Sequence, residues 1–358
     1  MAVTFTQENL RDFVITTLKK FDKSGILDIS QAYNQYFMFG RVARKALKVI
    51  TGSRGPARII NFSPYTGYAT GPFATRTSQF TNTRAEAFKS WVSSGSNYPI
   101  SRIVANMNKG EAALGDLILS ERKKAITGIA DYFEAMMLGE PVDDAGVDPG
   151  LWYAITPWPA GTTTPGFTGQ NPVDADGTSF NDCYGIDASA SKYAKWRNYA
   201  GKFTSVSASD LLKKMLEATL ATNFLSPMQA PENVLDAKRQ VICDNTTYVE
   251  ILQLQQAASD AYRLGIGFAG NMLTFNRTPV IPLGILDDIT YGQIVAGIDW
   301  DSIQLYGLAG EVMYEHVSEM STQPDTQVVD IALTTALLAE NRRNNWVLST
   351  LSSTGTSS

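Results

Sequence analysis

Residues 109–138 read KGEAALGDLILSERKKAITGIADYFEAMML, and the rest of the chain is best read outward from them. Leu114, Leu117, Ile118, Ile126, Ile129, Ala130, Phe133 and Met137 recur at helical spacing, while Glu121, Arg122, Lys123 and Lys124 are expected to face outward. Gly139 and Pro141 supply a stop. At about 1.5 Å per residue such a helix is about 45 Å long, more than a compact enzyme core needs. Gly115 and Gly128 weaken it locally.

Upstream of that helix the pattern changes. Between Ala57 and Ile103 the apolar residues Ile59, Ile60, Phe62, Tyr65, Tyr68 and Phe73 are separated by Pro64, Gly67, Gly71 and Pro72. Phe88, Trp91 and Val92 predict a short helix near 85–92, followed by an extended piece at Ile100–Val104. An excursion of about 45 residues with so little amphipathic pattern is too long for an ordinary connection. It predicts an extended two-armed loop whose apolar side chains pack elsewhere. Before it, residues 7–23 and 30–50 are predicted helical, with Leu10, Phe13, Val14, Leu18 and Phe21 in register and a break at Thr51–Pro56.

Downstream, a strand is predicted at Leu151–Thr156 and a Pro/Gly-rich loop from Pro157 to Gly177. Residues 208–224 are predicted helical, with Leu211, Leu212, Met215, Leu216 and Leu220 on one face. Then come a strand at Val241–Cys243, a helix over Tyr248–Leu264 and a strand over Met272–Leu283. Ile303–Tyr306, Glu311–Val317 and Val329–Leu338 are predicted to be strands of one final sheet. The class is α+β.

The chain has 358 residues, 30 basic against 35 acidic, for a net charge of −5. Charged residues make up 18%, below the ~25% usual in soluble chains, while hydrophobic residues hold at 44%. That combination suits a surface covered on several sides, other copies of the chain being the natural cover. No apolar run of ~18 residues predicts a membrane span, and residues 1–6 carry no signal-like apolar core. Cys183 and Cys243 lack metal or redox spacing, and with His316 as the single histidine a multi-histidine metal site is excluded.

Charge is unevenly placed. Residues 1–58 hold ten basic and four acidic residues, a net of +6; residues 140–358 hold twelve and twenty-five, a net of −13. Arg41, Arg44, Lys45 and Lys48 fall on one or two faces of the predicted helix: a solvated face, a nucleic-acid arm, or a basic head that docks on the acidic body of another copy.

Motifs for chemistry are weak. Gly265-Ile266-Gly267-Phe268-Ala269-Gly270 matches a dinucleotide fingerprint literally, but it follows a helix and precedes a strand, the reverse of what a pyrophosphate site requires, and reads as a glycine-rich turn. Asp174-Ala175-Asp176-Gly177 begins like a calcium loop without the closing carboxylate. Asp287-Asp288 and Asp299-Trp300-Asp301 are the pairs a hydrolase would use, and His316 sits in a strand-like alternation with no nucleophile motif beside it. No catalytic, cofactor or metal residue is assigned.

The element order, together with several phrases, resembles the major capsid proteins of tailed bacteriophages, the Hong Kong 97-type fold. Cys183-Tyr184-Gly185-Ile186-Asp187 with Lys195-Trp196-Arg197-Asn198 is similar to that family's Gly-hydrophobic-Asp … Trp-Arg-Asn stretch. Ala208–Phe224 followed by Gln240–Tyr248, Asn271–Ile281, Ala296–Tyr306, and Ala339-Glu340-Asn341-Arg342-Arg343-Asn344-Asn345-Trp346-Val347-Leu348 resemble later phrases in the same order. Together they cover most of residues 30–351.

The resemblance implies an N-terminal arm at 1–50, an extended loop at 51–105, and a peripheral domain at 106–205 with a spine helix at 109–138. It further implies a mainly axial domain at 206–310, and a return to the sheet with a C-terminal tail at 311–358. It implies a head protein that self-assembles, as hexamers and pentamers, into an icosahedral shell enclosing double-stranded viral DNA without sequence-specific binding. A separate scaffolding protein, a portal and cement or decoration proteins are the implied partners, with no membrane and no cofactor. The implied location is the virion, and the host cytoplasm during assembly. The assembly candidates are Arg41, Arg44, Lys45, Lys48, Phe62, Tyr65, Tyr68 and Phe73. The Lys–Asn cross-link of some relatives is not supported, since Lys89 is the only lysine in the extended loop. The competing classes are a basic-armed nucleic-acid-binding protein and a hydrolase using an aspartate pair.

Overall fold

The computed structural model describes residues 36–43, 47–62, 84–101, 111–142, 144, 146–159, 164–174, 177–224, 238–257, 266–269, 272–276, 278–319 and 326–351. The predicted helix 7–23 lies outside them. In chain order the elements are α1 (Phe37–Ala43), β1 (Lys48–Ile50), β2 (Ala57–Asn61), β3 (Arg84–Phe88), β4 (Val92–Ser101), α2 (Glu111–Leu138), α3 (Leu151–Ala154), β5 (Gly166–Gly169) and β6 (Asn198–Lys202). They continue with α4 (Lys213–Ala221), β7 (Arg239–Cys243), α5 (Asn245–Ala257), β8 (Ile266–Ala269), β9 (Met272–Phe275), β10 (Thr278–Pro282), β11 (Ile294–Asp299), β12 (Ile303–Glu319), β13 (Thr326–Ala339) and β14 (Trp346–Ser349).

The chain forms two compact units, one drawn from 93–133 and 310–334, the other from 35–92, 134–309 and 335–358. In the second, eight strands run in the order β5-β6-β14-β11-β7-β10-β9-β8. The pairs β6–β14 and β7–β10 are parallel, and β11 is antiparallel to both its neighbours. Every residue of β11 is buried, as expected for a central strand covered on both faces. Gly297 is required there: a Cβ would lie 2.3 Å from the Trp346 indole. Tyr199, Phe203, Leu211, Met215, Val241, Ile251, Val295 and Trp346 belong to the core packed on this sheet. A second sheet runs β1-β12-β13-β4, and β2 with β3 forms a separate antiparallel hairpin from Ala57↔Phe88 to Asn61↔Arg84.

In the first unit β4 and β13 approach closely. A Cβ on Gly95 would meet the Ile331 carbonyl at 2.7 Å, and the Ser94 hydroxyl donates to the Leu333 carbonyl. Arg122 on α2 pairs with Glu315 on β12. Burial, then the Glu315 charge, pushes the Tyr98 phenol up despite Arg122.

Several expectations are corrected. The helix predicted over 30–50 is seven residues long where described, and Lys48–Ile50 is a strand paired in parallel with Tyr306–Leu308. The helix predicted near 85–92 is strand β3, because its backbone is satisfied by β2 rather than by itself. Leu151–Ala154 is a helical turn, not a strand: Gly150 enters at φ +73°, where a Cβ would lie 2.6 Å from the Met136 and Met137 carbonyls, and Ile155 N–H closes on Leu151. A short apolar run buried all round carries no period to tell the two apart. Met272–Leu283 folds back at Asn276 (φ 46°) into β9 and β10. The glycine-rich 266–269 segment is strand β8.

The helix over 208–224 opens with a π turn at Ala208–Leu212. Ser207 caps it by accepting the Asp210 N–H. The face that packs is Leu211, Leu212, Met215 and Ala218; Leu216 and Leu220 point outward, 45% and 60% exposed. The predicted leucine arc was wider than the core it serves.

Candidate assembly surfaces

The residues an enzyme reading would need are committed to structure. Asp287 accepts the Asn245 backbone N–H at 3.0 Å and its side-chain amide at 2.8 Å, so it caps α5. Asp287 and Asp288 are the last two residues of a 3-10 turn, Gly284–Asp288. Asp299 accepts the Asp301 N–H and lies 3.8 Å from Arg239. Asp301 pairs with Lys238 at 3.1 Å. Burial pushes the Asp299 carboxyl up against that hydrogen bond and Arg239. His316 is exposed on β12 and stacks on Tyr314, with ring centroids 6.3 Å apart. Asp174 and Gly177 form a tight turn, the Gly177 N–H donating to the Asp174 carbonyl. Among the described residues no cluster of three His, Cys, Asp or Glu is placed to hold a metal ion.

The basic head divides. The Arg41 guanidinium lies 3.8 Å over the Trp300 ring, inside its own unit. Lys48 and Arg58 are exposed and share Glu340 at 3.9 and 3.5 Å, while the Tyr306 hydroxyl donates to the same carboxylate at 2.7 Å. Burial, then Glu340, pushes the Tyr306 phenol up. Arg44 and Lys45 lie outside the described residues, as do Tyr65, Tyr68 and Phe73.

Phe62 requires a correction. It does not wait for a neighbouring chain: it is 6% exposed and packs edge-on against Tyr193 at 4.9 Å and Trp196 at 6.2 Å. Three residues earlier Ile59 is 72% exposed, and Val49 on β1 is 58% exposed. The hairpin is thus held at its Phe62 end while Ile59 within β2 stays open. The root is tight, since a Cβ on Gly55 would overlap the Lys89 carbonyl at 2.0 Å, the Trp91 indole donates to the Ser53 carbonyl, and the Phe88 N–H donates to the Tyr184 carbonyl. An open cleft of about 490 Å³ lies between Arg58–Phe62 and the corner Glu340–Asn344, with Lys195 and Trp196 at its wall.

Beneath that corner is a feature the sequence reading missed. Arg342 is fully buried and donates to the Ala154 carbonyl (2.7 Å), the Thr156 hydroxyl (2.7 Å), the Gln170 carbonyl (3.0 Å) and the Asn198 side-chain oxygen (3.2 Å). Asn198 in turn brackets Thr156, accepting its N–H and donating to its carbonyl. Gly169 leaves room for that amide, since a Cβ there would lie 2.1 Å from its oxygen. The two phrases Trp196-Arg197-Asn198 and Asn341-Arg342-Arg343, 144 residues apart, meet at this contact. Asn345 adds to the corner, accepting the Asp299 N–H at 2.7 Å and donating to the Ser302 hydroxyl at 2.8 Å. A planar multi-donor guanidinium suits such convergent carbonyls. Glu134 was missed too, although a lone carboxylate on the apolar face of α2 was a visible signal: it is 1% exposed and accepts the first N–H groups of α1.

No family model matches this sequence, and no curated protein matches it. Solved structures do, over nearly its whole length. The chain is similar to the capsid subunit of cyanophage A-1(L), at 12% identity and a TM-score of 0.58, covering 94% of this chain and 98% of that one. It is similar to the capsid of a native GTA particle, at 11% identity, a TM-score of 0.52, and coverage of 93% and 95%. It is also similar to a holo encapsulin complex from Synechococcus elongatus, at 9% identity, a TM-score of 0.50, and coverage of 96% for both chains. The α+β fold is the one shared by these shell subunits, the Hong Kong 97-type fold expected from the sequence.

Proposed function

We propose that this chain is the major capsid (head) protein of a tailed phage, which assembles with copies of itself into an icosahedral shell around double-stranded DNA. The observation that carries the reading is the likeness to a phage capsid subunit over 94% of this chain and 98% of that one, because it extends over nearly the whole of both chains. A hairpin rooted on its own unit yet exposed at Ile59, together with an exposed Val49 on β1, is consistent with a surface completed by a neighbour. In this reading residues 1–50 serve as the arm, 51–105 as the extended loop, 106–205 as the peripheral domain, 206–310 mainly as the axial domain, and 311–358 as the return and tail. Lys48, Arg44, Lys45, Tyr65, Tyr68 and Phe73 face other copies, whereas Arg41 and Phe62 fix the arm and loop to their own subunit. A separate scaffolding protein and a portal join during assembly in the host cytoplasm, and the virion is the destination. The role is structural rather than catalytic.

The test is expression of the chain with and without the products of its neighbouring genes, followed by sedimentation and electron microscopy. Shells, rings or tubes are expected, with nuclease-protected DNA in shells recovered from infected cells. A compact ~39 kDa species alone, at high concentration and with scaffold supplied, overturns the reading. Closed shells that hold protein cargo and no DNA overturn its viral part, since an encapsulin shares the fold.

A further inference from the structure

We infer that the cleft beside β2 is a docking groove for an extended, acidic peptide segment of a partner protein, which adds as a third strand along β2. The inference stands beside the shell reading without resting on it. Arg58 to Phe62, five consecutive residues, line this cleft of about 490 Å³. Alternate residues of a strand point to opposite faces, so consecutive residues line one space where the strand's edge opens onto it. That edge is unpaired. Among the described residues β2 has β3 as its one neighbour, so every second residue turns its N–H and C=O away from the ladder. Phe62 and Trp196, both buried, supply an apolar floor.

The charges select an acidic occupant. Residues 140–358 carry twenty-five acidic residues against twelve basic, so a cation there without a carboxylate stands out. Lys213, Lys214, Lys238 and Arg239 each have one within 3.9 Å. Lys195 and Arg343, which line the cleft, have none among the described residues, and neither has Lys192 beside it. Arg343 instead lies 3.7 Å over the Phe167 ring, and Lys192 lies 5.0 Å from the Tyr193 ring that packs on Phe62. The carboxylates lining the cleft are already answered, Asp299 by Arg239, Asp301 by Lys238, and Glu340 by Lys48 and Arg58. The charge left over is positive.

A peptide suits this site better than nucleic acid. The free edge offers a ladder of backbone hydrogen bonds, and the cleft falls within the ~300–1,000 Å³ that holds a small ligand, too little for a duplex. The described part of this chain does not supply the segment itself. Of its exposed carboxylates, Asp144 opens a turn, Glu217 is on a helix, and Asp287 and Asp288 end a 3-10 turn. Asp301 and Glu315 pair with cations, and Glu86 stands alone in β3. A separate acidic partner is therefore the occupant.

The test is fluorescence anisotropy of the full-length chain with a labelled, alternating Glu/Val peptide of strand length, about six residues. A Lys/Val counterpart, the Glu/Val peptide with a central proline, and a short DNA duplex are the comparisons. Saturable binding of the Glu/Val peptide is expected, weakening with salt. The central proline lacks the N–H a ladder needs and should weaken binding at least about tenfold. Lys195→Glu, at an exposed position, and Lys195→Glu/Arg343→Glu should do the same, with Lys195→Glu unfolding at the wild-type temperature. Amide exchange at Arg58–Ile60 should slow in the complex. No binding by the wild type, equal binding of the Lys/Val peptide, or indifference to Lys195→Glu overturns the inference. Tighter binding of the duplex shows a nucleic-acid surface, and self-association abolished by Lys195→Glu shows a second copy in the cleft; either overturns it too. The shell reading survives all of these results, because the peptide is scored on the chain and not on particles.

Discussion

Both carboxylate oxygens of Glu134 accept the backbone N–H of Met38, at 3.1 and 2.9 Å, across 96 residues of sequence. The same carboxylate takes the N–H of Phe37 at 2.8 Å and of Phe39 at 3.0 Å. These are the first orphan donors of α1, a helix with no acidic residue in its own first turn. The cap of the arm helix is therefore carried by the long helix α2. Burial pushes the Glu134 carboxyl up, and the three N–H donors oppose it.

Replacing Glu134 with glutamine keeps the shape but exchanges one acceptor for a donor facing an N–H. We expect a loss of about 1–3 kcal/mol in unfolding free energy, from a buried donor left unmet. Alanine should cost more. Denaturant unfolding measures both, and a neutral glutamine variant refutes the cap.

Asp210 should make stability fall in acid. Its slight burial raises the carboxyl pKa, but hydrogen bonds from Lys214, Thr204 and Ser205 outweigh this and hold it well below the usual range. A carboxyl lowered in the folded state stabilises above its unfolded value of about 4 and loses that contribution as pH falls through the folded value. Asp210→Asn should therefore cost about 1–2 kcal/mol at pH 7, with the gap to wild type narrowing steadily below about pH 4. A gap independent of pH counts against the assignment.

Arg342 tests whether the corner between residues 154–156, 170 and 198 depends on one side chain. Arg342→Met removes four hydrogen bonds and leaves buried acceptors unmet, so folding yield should collapse or the midpoint should drop by several degrees. Arg342→Lys keeps the charge without the planar fork and should fall between. Equal stability of lysine and arginine would show that charge alone matters.

The extended loop can be trimmed without touching its root. Asn61 and Arg84 are paired, so replacing residues 63–83 with a short Gly/Ser link should leave β2, β3 and the Phe62–Trp196 contact in place. A wider cut from Ile60 to Tyr98 would remove β3 and most of β4 and confound folding with assembly. The trimmed chain should unfold cooperatively and fail to form particles. Particles of normal size would show that the loop is dispensable for the shell.

The sequence by itself determined what local periodicity controls. The spacing of Ile129, Ala130, Phe133 and Met137 marked the buried face of α2, because a period of 3.6 is set by the segment's own backbone; the final sheet was legible as extended chain over 303–338, although Ile303–Tyr306 and Glu311–Val317, read as two strands, form the single strand β12. The order of short phrases placed the fold, although no phrase revealed its purpose. Tertiary structure alone decided the rest. Arg84–Phe88 is a strand because β2 lies beside it, and Leu151–Ala154 turns because Gly150 must slip under the Met136 and Met137 carbonyls. Leu216 and Leu220 face outward because the core ends at Met215 and Ala218. Glu134 with Met38, and Arg342 with Asn198, are hydrogen bonds between residues too far apart in sequence for any local pattern to encode. Their geometry exists only once burial has removed the water that would otherwise satisfy each group.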